Sequence, residues 1–520
     1  MKISRIIRLA SIIAAVAFLA SCSVVEITTG TWYHLSSDED SGYAIFNKQG
    51  DKDLSCVYYR DGGTLTAQRT TAVAKERRKT VRLTFPDGTR RDYKVERHNV
   101  PAYVPVKECH PYIERKYSFR MEPDVFYAKA KGYWTYYDEP WEEDFFVSYA
   151  KKAFNLNIWD LSLRSNILSQ IFQPKLTEQK LTMDIFVPVD DKADKRPLLV
   201  LLHGGAFFAG NKTDPDIRLW AERFAERGYV TAAVNYRLGF DLTVQGEVNR
   251  AGYRAVQDTR AAIRFLLNRK DLKIDPDLIF IAGPSAGGIA SLNTAFVRDK
   301  DRPVDTFSGP LGGEGALDSV NPDMKADFTI RGVGNLWGAV QSLSILDNSP
   351  NTAIISWHNQ YDPTVPYGEG SPFKGYLDFA SKWFFDTMWG SAEIDARARQ
   401  KGMKTKFTSY HIPDVHSLDR EQAHGELNGI FEDIDKGMSE FFEEAMILHP
   451  VKVRNGLRQS FSIDMTDVSS CSWKVEGGLL LSARGGVARV IFFADAPEHS
   501  VTVTGRYRSG RTFTDTYTKE

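Results

Sequence analysis

The chain is short of several features that mark whole classes of protein, and each shortage excludes something. Four cysteines in 520 residues include no C-x-x-C pair, so neither a dithiol redox centre nor a cysteine-rich zinc module is predicted. Ten histidines are present, none paired at metal-ligand spacing, so neither a metal nor a cofactor is expected. No charge of one sign dominates: 66 Lys and Arg face 67 Asp and Glu, a net charge of −1. That balance gives no electrostatic footprint for nucleic acid, and basic runs such as 75–79 read as solvated faces. Gly312-Gly313-Glu314-Gly315 lacks the Lys-Ser/Thr that a phosphate loop needs. Internal repeats are missing, as are Gly/Ser-rich and Pro-rich linkers, so the parts of the chain are expected to pack and not to swing on tethers.

What is present centres on Gly283-Pro284-Ser285-Ala286-Gly287. The apolar run Leu278-Ile279-Phe280-Ile281 precedes it and small residues follow, which predicts strand, tight turn, helix. Such a turn exposes the serine Oγ and points the first helical N–H groups at a developing negative charge. Upstream, the strand-like Leu198–Leu202 runs into His203-Gly204-Gly205-Ala206-Phe207, where glycines leave backbone N–H donors open to an oxyanion. Downstream, the strand-like Thr352–His358 leads to Tyr361-Asp362-Pro363, and a strand near Thr405–His411 leads to Asp414-Val415-His416. Asp362 and His416 thus each follow the carboxyl end of a predicted strand. His411 would lie within its strand, and His424 further on, so His416 is preferred. The plain alternatives are a small serine in a packed turn and a turn-forming Asp before Pro.

Together with Leu181–Pro188, Val234-Asn235-Tyr236-Arg237-Leu238 and Gln257–Ala262, these phrases make residues 181–447 resemble an α/β-hydrolase of the carboxylesterase/lipase type. The resemblance implies a doubly wound, mostly parallel sheet. It implies Ser285 as nucleophile, His416 as base and then acid, Asp362 as the residue orienting the imidazole, and the N–H groups of Gly205, Ala206 and Ala286 as the oxyanion hole. The order Ser285, Asp362, His416 suits that fold and not the chymotrypsin or subtilisin arrangement. Pro284 departs from the polar residue common before the serine and is expected to stiffen the turn. The implied activity is carboxylic-ester hydrolysis through an acyl-serine, with a small-molecule, glycan or lipid ester as substrate. A serine peptidase on the same fold and a non-catalytic surface binding protein are the alternatives. No feature predicts a protein partner.

Around this core, residues 28–110 and 451–520 alternate β-formers with turn residues, predicting a small N-terminal β domain and a C-terminal β-sandwich-like domain. Residues 111–449 hold the catalytic domain and a lead-in. Asp258 and Arg260, within a helical run over Tyr253–Leu267, read as a structural charge pair. Two aromatic stretches stand out: Tyr133–Tyr137 with Trp141, Phe145 and Phe146, and Phe373, Tyr376, Phe379, Trp383, Phe384, Phe385 and Trp389. The second reads equally as a cap over the pocket or as a helix packed on the core.

At the start, Lys2, Arg5 and Arg8 precede an apolar run, Ile12–Leu19, too short to span a membrane. Residues 1–21 therefore read as a signal peptide. Leu19-Ala20-Ser21-Cys22 resembles the lipobox of bacterial lipoproteins, which implies a lipid anchor at Cys22. Ser23 after it implies the outer membrane of the cell envelope. An ordinary signal peptide cleaved nearby is the alternative. In an exported chain Cys56 and Cys109 have the option of pairing, with Cys471 left over.

Overall fold

The computed structural model describes residues 25–49, 53–99, 101–136, 175–241, 244–309, 311–374, 385–418 and 429–519. Cys22 and the signal segment lie outside them, as do Tyr137, Trp141, Phe145, Phe146, Tyr376, Phe379, Trp383, Phe384 and His424. Two compact units are present. One comprises the chain through Cys109 together with His449–Glu520, and the other is His110–Leu448.

The first unit begins with β1 (Trp32–Ser36), β2 (Ser41–Gln49), β3 (Asp53–Arg60), β4 (Thr66–Ala67), β5 (Arg69–Glu76), β6 (Val81–Thr84) and β7 (Arg90–Arg97). All but β4 close into a six-stranded antiparallel barrel, sealed by β1 against β7. Alternate residues such as Leu35, Phe46, Tyr58, Leu83 and Tyr93 fill its interior, as the two-residue period of strands requires. Cys56 is among them, and burial pushes its thiol up to about 12. It is not bonded to Cys109, and Cys471 is also free. The optional disulfide is therefore corrected: Cys56 belongs to the barrel core.

The second unit is built on an eight-stranded sheet. Its strands are β8 (Phe119–Gly132), β9 (Thr177–Pro188), β10 (Arg196–Leu202), β11 (Val230–Val234), β12 (Ile274–Pro284), β13 (Ile330–Leu336), β15 (Ala353–Asn359) and β18 (Thr405–Tyr410). The spatial order is β18-β15-β13-β12-β10-β11-β9-β8. The six strands from β18 to β11 are parallel, and β9 and β8 add an antiparallel edge. Short strands β14 (Ala339–Val340), β16 (Glu369–Gly370) and β17 (Met388–Gly390) form a separate ribbon.

Helices cover both faces, which is why the central strands are apolar throughout. In β10, Leu198, Val200 and Leu202 pack on one side, with α2 (Glu247–Asn268), α3 (Ala286–Phe296) and α4 (Ser391–Gln400). Leu199 and Leu201 pack on the other, with α1 (Pro215–Glu226) and α5 (Gly429–Ala445). There Trp220 stacks on Phe431 at 5.0 Å, and Phe280 on Phe442 at 4.6 Å. Among the described residues no helix is long and apolar enough to cross a membrane.

The chain then returns to the first unit with β19 (Arg454–Asn455), β20 (Ser460–Ser462), β21 (Val468–Glu476), β22 (Gly478–Arg484), β23 (Val487–Phe493), β24 (Ser500–Tyr507) and β25 (Thr512–Thr518). They form two sheets, β19-β20-β23-β22 and β21-β24-β25. The sequence reading keeps the N- and C-terminal β segments apart, whereas here they interlock. β4 leaves the barrel to pair in parallel with β23, and Phe493 stacks on Tyr59 at 4.0 Å.

Candidate active site

Ser285 stands between β12 and α3, at φ 54° and ψ −118°. A serine at positive φ is strained, and such strain persists only where its surroundings enforce it. They do so here: a Cβ on Gly283 would lie 2.2 Å from the Leu202 carbonyl oxygen, and one on Gly287 would lie 2.1 Å from the same atom. Both flanking glycines therefore admit the end of β10 against the turn. Pro284 stays paired with Leu336 of β13, and the Ser285 N–H donates to the Leu336 carbonyl at 2.8 Å.

His416 follows β18 and bridges the other two residues. Its Nε2 lies 2.9 Å from Ser285 Oγ, and its Nδ1 lies 2.9 and 2.8 Å from the two oxygens of Asp362. A carboxylate only accepts, so Nδ1 carries the proton and Nε2 is free to accept from the serine hydroxyl. The Asp362 side chain is fully buried. Burial alone would raise its pKa, but His416 and His358, with the bonds they donate, outweigh that and hold it down at about 2. The aspartate thus stays ionised where the imidazole needs a fixed anion. His411, in contrast, is exposed and its ring sits by Tyr361.

Of the three expected oxyanion donors, Gly205 lies in the turn after β10 and is not among the residues lining the cavity at Ser285. Ala206 and Ala286 line one cavity with Ser285. Ala286 opens α3, where the first N–H groups have no intrahelical partner. The turn after β10 is closed by Phe208 and Ala209 N–H donating to the Gly205 carbonyl. Among the described residues, neither Gly205 nor Ala206 N–H donates within that turn. Ala206 and Phe207 sit at φ 54° and 59°, two further strained residues beside Ser285. His203 Nδ1 lies 2.8 Å from the Gly204 carbonyl, and its ring stacks on Tyr236 at 4.4 Å, so it packs beneath the turn.

The cavity, about 110 Å³, is mostly apolar, with Phe207, Tyr253, Ile289, Val365, Phe373 and Phe385 in its wall. Of the aromatic stretch expected over the pocket, Phe373 and Phe385 line it and Trp389 packs on the core. Tyr133 and Trp134 do not line it. They buttress it from behind, Trp134 Nε1 donating to the Phe208 carbonyl and Tyr133 OH to Glu247.

Asp258 and Arg260 are corrected as a pair: two residues apart on a helix, they face different ways. Asp258 binds Arg237 in a buried ion pair at 2.8 Å, and Arg260 binds Asp318 at 2.9 Å. Sequence reasoning missed two residues: His358, which also reaches Asp362, and Asn359, which binds the backbone of the His416 loop. The signal for His358 was its place four residues before Asp362. Asn359 had none.

The sheet, the strained turn and the three side chains after β12, β15 and β18 give the second unit an α/β-hydrolase fold. Residues 183–356 match the BD-FAE family. The chain is similar to gut esterase 1 of Caenorhabditis elegans, 36% identical over 112 residues, covering 21% of this chain and 20% of that protein. It is similar to carboxylesterase 3B of Mus musculus, 36% identical over 117 residues, covering 22% and 20%. It is also similar to para-nitrobenzyl esterase of Bacillus subtilis (strain 168), 30% identical over 129 residues, covering 24% and 26%. The chain thus spans about a fifth to a quarter of the length of these relatives. Among solved structures, a thermophilic esterase of Thermogutta terrifontis, Est2, aligns at 19% identity and a TM-score of 0.36, over 51% of this chain and 88% of that one.

Proposed function

We propose that this protein is a serine carboxylic-ester hydrolase. The observation that carries the reading is the unbroken hydrogen-bonded run from Ser285 Oγ through His416 to a buried, ionised Asp362. In this mechanism His416 Nε2 takes the Ser285 proton as Oγ attacks the ester carbonyl, and the imidazolium then returns it to the leaving alkoxide. The N–H groups of Gly205, Ala206 and Ala286 stabilise the oxyanion. Loss of one such donor typically costs about 2.7–4 kcal/mol in the barrier. Water then releases the acid from Ser285, with His416 as base again. The substrate is a small ester whose apolar portion fits the cavity wall.

The test is intact-mass analysis after exposure to a fluorophosphonate, alongside turnover of p-nitrophenyl acetate. The native protein is expected to gain one adduct and to hydrolyse the ester, while Ser285→Ala does neither and keeps its fold. A well-folded native protein that neither labels nor turns over sinks the reading. Lipidation at Cys22 and an envelope location are a separate part of the proposal, supported by the N-terminal sequence alone. Cys22→Ser is expected to move the protein from the membrane fraction to the soluble one.

A further inference from the structure

Asp362 serves two imidazoles. Its Oδ1 accepts the N–H groups of Thr364 and Val365 at 2.8 and 3.0 Å. Its Oδ2 accepts His416 Nδ1 at 2.8 Å and faces His358 Nε2 at 3.3 Å. His358 is 0% exposed. It ends a run in β15 whose alternation sends Trp357 to the α5 side and His358 to the α4 side, toward Ser391.

The partners of His358 dictate its tautomer. Nε2 faces two acceptors, Asp362 and the Val365 carbonyl at 3.2 Å, so it carries the proton. Nδ1 lies 2.8 Å from Ser391 Oγ and accepts the hydroxyl proton, for which the Gly338 carbonyl at 3.4 Å is the more distant acceptor. Ser391 Oγ in turn accepts from Asn335 Nδ2 at 3.0 Å, and Asn335 Oδ1 accepts the Gly338 N–H at 2.9 Å. The Tyr367 ring packs edge-on against His358 at 5.7 Å, and its hydroxyl donates to Ser409, not to the imidazole. Asp362 is the charged side chain among these neighbours. An arm of fixed donors therefore runs from β13 through α4 and β15 to the carboxylate, on the side away from His416.

We propose that His358 is a positioning residue for the Ser285–His416–Asp362 group. Its Nε2–H, which bonds to the Val365 carbonyl, also stands 3.3 Å from Asp362 Oδ2 and shares the negative charge there with His416, whose Nδ1 reaches both oxygens. The proposal rests on the esterase reading above. Without His358, Oδ1 stays pinned by the Thr364 and Val365 N–H groups, but Oδ2 loses its second ring and its charge falls on His416 alone. A more concentrated anion favours the imidazolium in the resting enzyme. The acid limb of kcat/KM then moves to higher pH while kcat falls.

The experiment compares His358→Phe, which keeps ring volume and removes the donor, with His358→Gln, which keeps a donor at similar reach. The readouts are kcat, KM and the pH profile for p-nitrophenyl acetate, with fluorophosphonate labelling. His358→Phe is expected to lower kcat about ten-fold or more with KM little changed, and to move the acid limb upward. His358→Gln is expected to recover both in large part. A folded His358→Phe with native kcat and native acid limb overturns the proposal. Should that variant fail to fold, Ser391→Ala decides, because it unpins Nδ1 and leaves the ring in place: an upward acid limb supports the proposal and a native profile overturns it. If the native enzyme does not label, the esterase reading fails and takes this proposal with it. Native labelling with indifferent His358 and Ser391 variants fails this proposal alone.

Discussion

Asn359 grips Ile412 in both directions: its Nδ2 donates to the Ile412 carbonyl at 2.6 Å, and its Oδ1 accepts the Ile412 N–H at 2.9 Å. Nδ2 also donates to the Val415 carbonyl at 2.7 Å. The Asn359 carbonyl meanwhile accepts the Asp362 N–H at 3.2 Å. One residue at the end of β15 thus ties the loop of His416 to the loop of Asp362. Asn359→Leu keeps the volume and leaves three backbone groups unpaired, each worth about 1–3 kcal/mol if buried. We expect kcat to fall about ten- to a hundred-fold, since small misplacement of a base is costly, with KM nearly constant. Equal kcat in a folded Asn359→Leu would show that the grip does not set the position of His416.

The glycines beside Ser285 make a different prediction, because what they meet is backbone. The Leu202 carbonyl cannot swing aside as a side chain can, and it ends the strand that carries the oxyanion turn. Gly283→Ala and Gly287→Ala must therefore part β10 from β12 or distort the Ser285 turn. Each is expected to cost about 1–3 kcal/mol or more and to suppress fluorophosphonate labelling. Urea unfolding and labelling rate measure the two effects. A variant that retains both native stability and native labelling contradicts the close approach.

Acid stability follows from Asp362. Its folded pKa of about 2 lies below the ordinary carboxylate value near 3.9, so in the window between them the unfolded chain binds more protons. The stability this group confers is fully present above about pH 4 and is lost as pH falls through about 2, at most about 2.6 kcal/mol. Native protein and Asp362→Asn are therefore expected to differ in urea midpoint at pH 6 and to converge as pH drops toward 2.5. A gap that stays constant over that range argues against a depressed Asp362.

The places of Ser285, Asp362 and the turn at Gly205 were legible because each follows an apolar run that reads as a strand. The strand supplies the position and the residue supplies the chemistry. His416 was legible from the same rule; His411 was set aside as lying within the strand, but β18 ends at Tyr410, and what separates the two is that the His411 ring turns to Tyr361. His358 and Asn359 were not, since their roles depend on α4 and on the 411–418 loop, which sequence alone does not bring to β15. The same holds for Asp258, whose partner Arg237 lies at the end of a different strand. The barrel strands were readable from turn residues and alternation. The pairing of β4 with β23 joins opposite ends of the chain, and no local pattern carries it.

Phe373 and Phe385 meet at 5.0 Å and line the cavity beside Ser285, yet they are held differently. The Phe373 N–H donates to the Thr364 carbonyl at 2.7 Å, two residues from Asp362, and Phe373 sits at φ 60°. Shortening Phe373 therefore removes wall and also loosens a strained segment bonded to the Asp362 turn. Phe385 is not bonded to that turn among the described contacts, so shortening it removes wall alone. Burying an aromatic side chain against a ligand is worth about 1.5–3 kcal/mol. Phe385→Ala is thus expected to raise KM for a bulky aryl ester about ten-fold while leaving kcat for p-nitrophenyl acetate near native. Phe373→Ala is expected to raise the same KM and to lower kcat for both esters. Steady-state kinetics on the two esters separate the cases. If Phe385→Ala binds the bulky ester as well as the native enzyme does, the substrate lies elsewhere than against these rings.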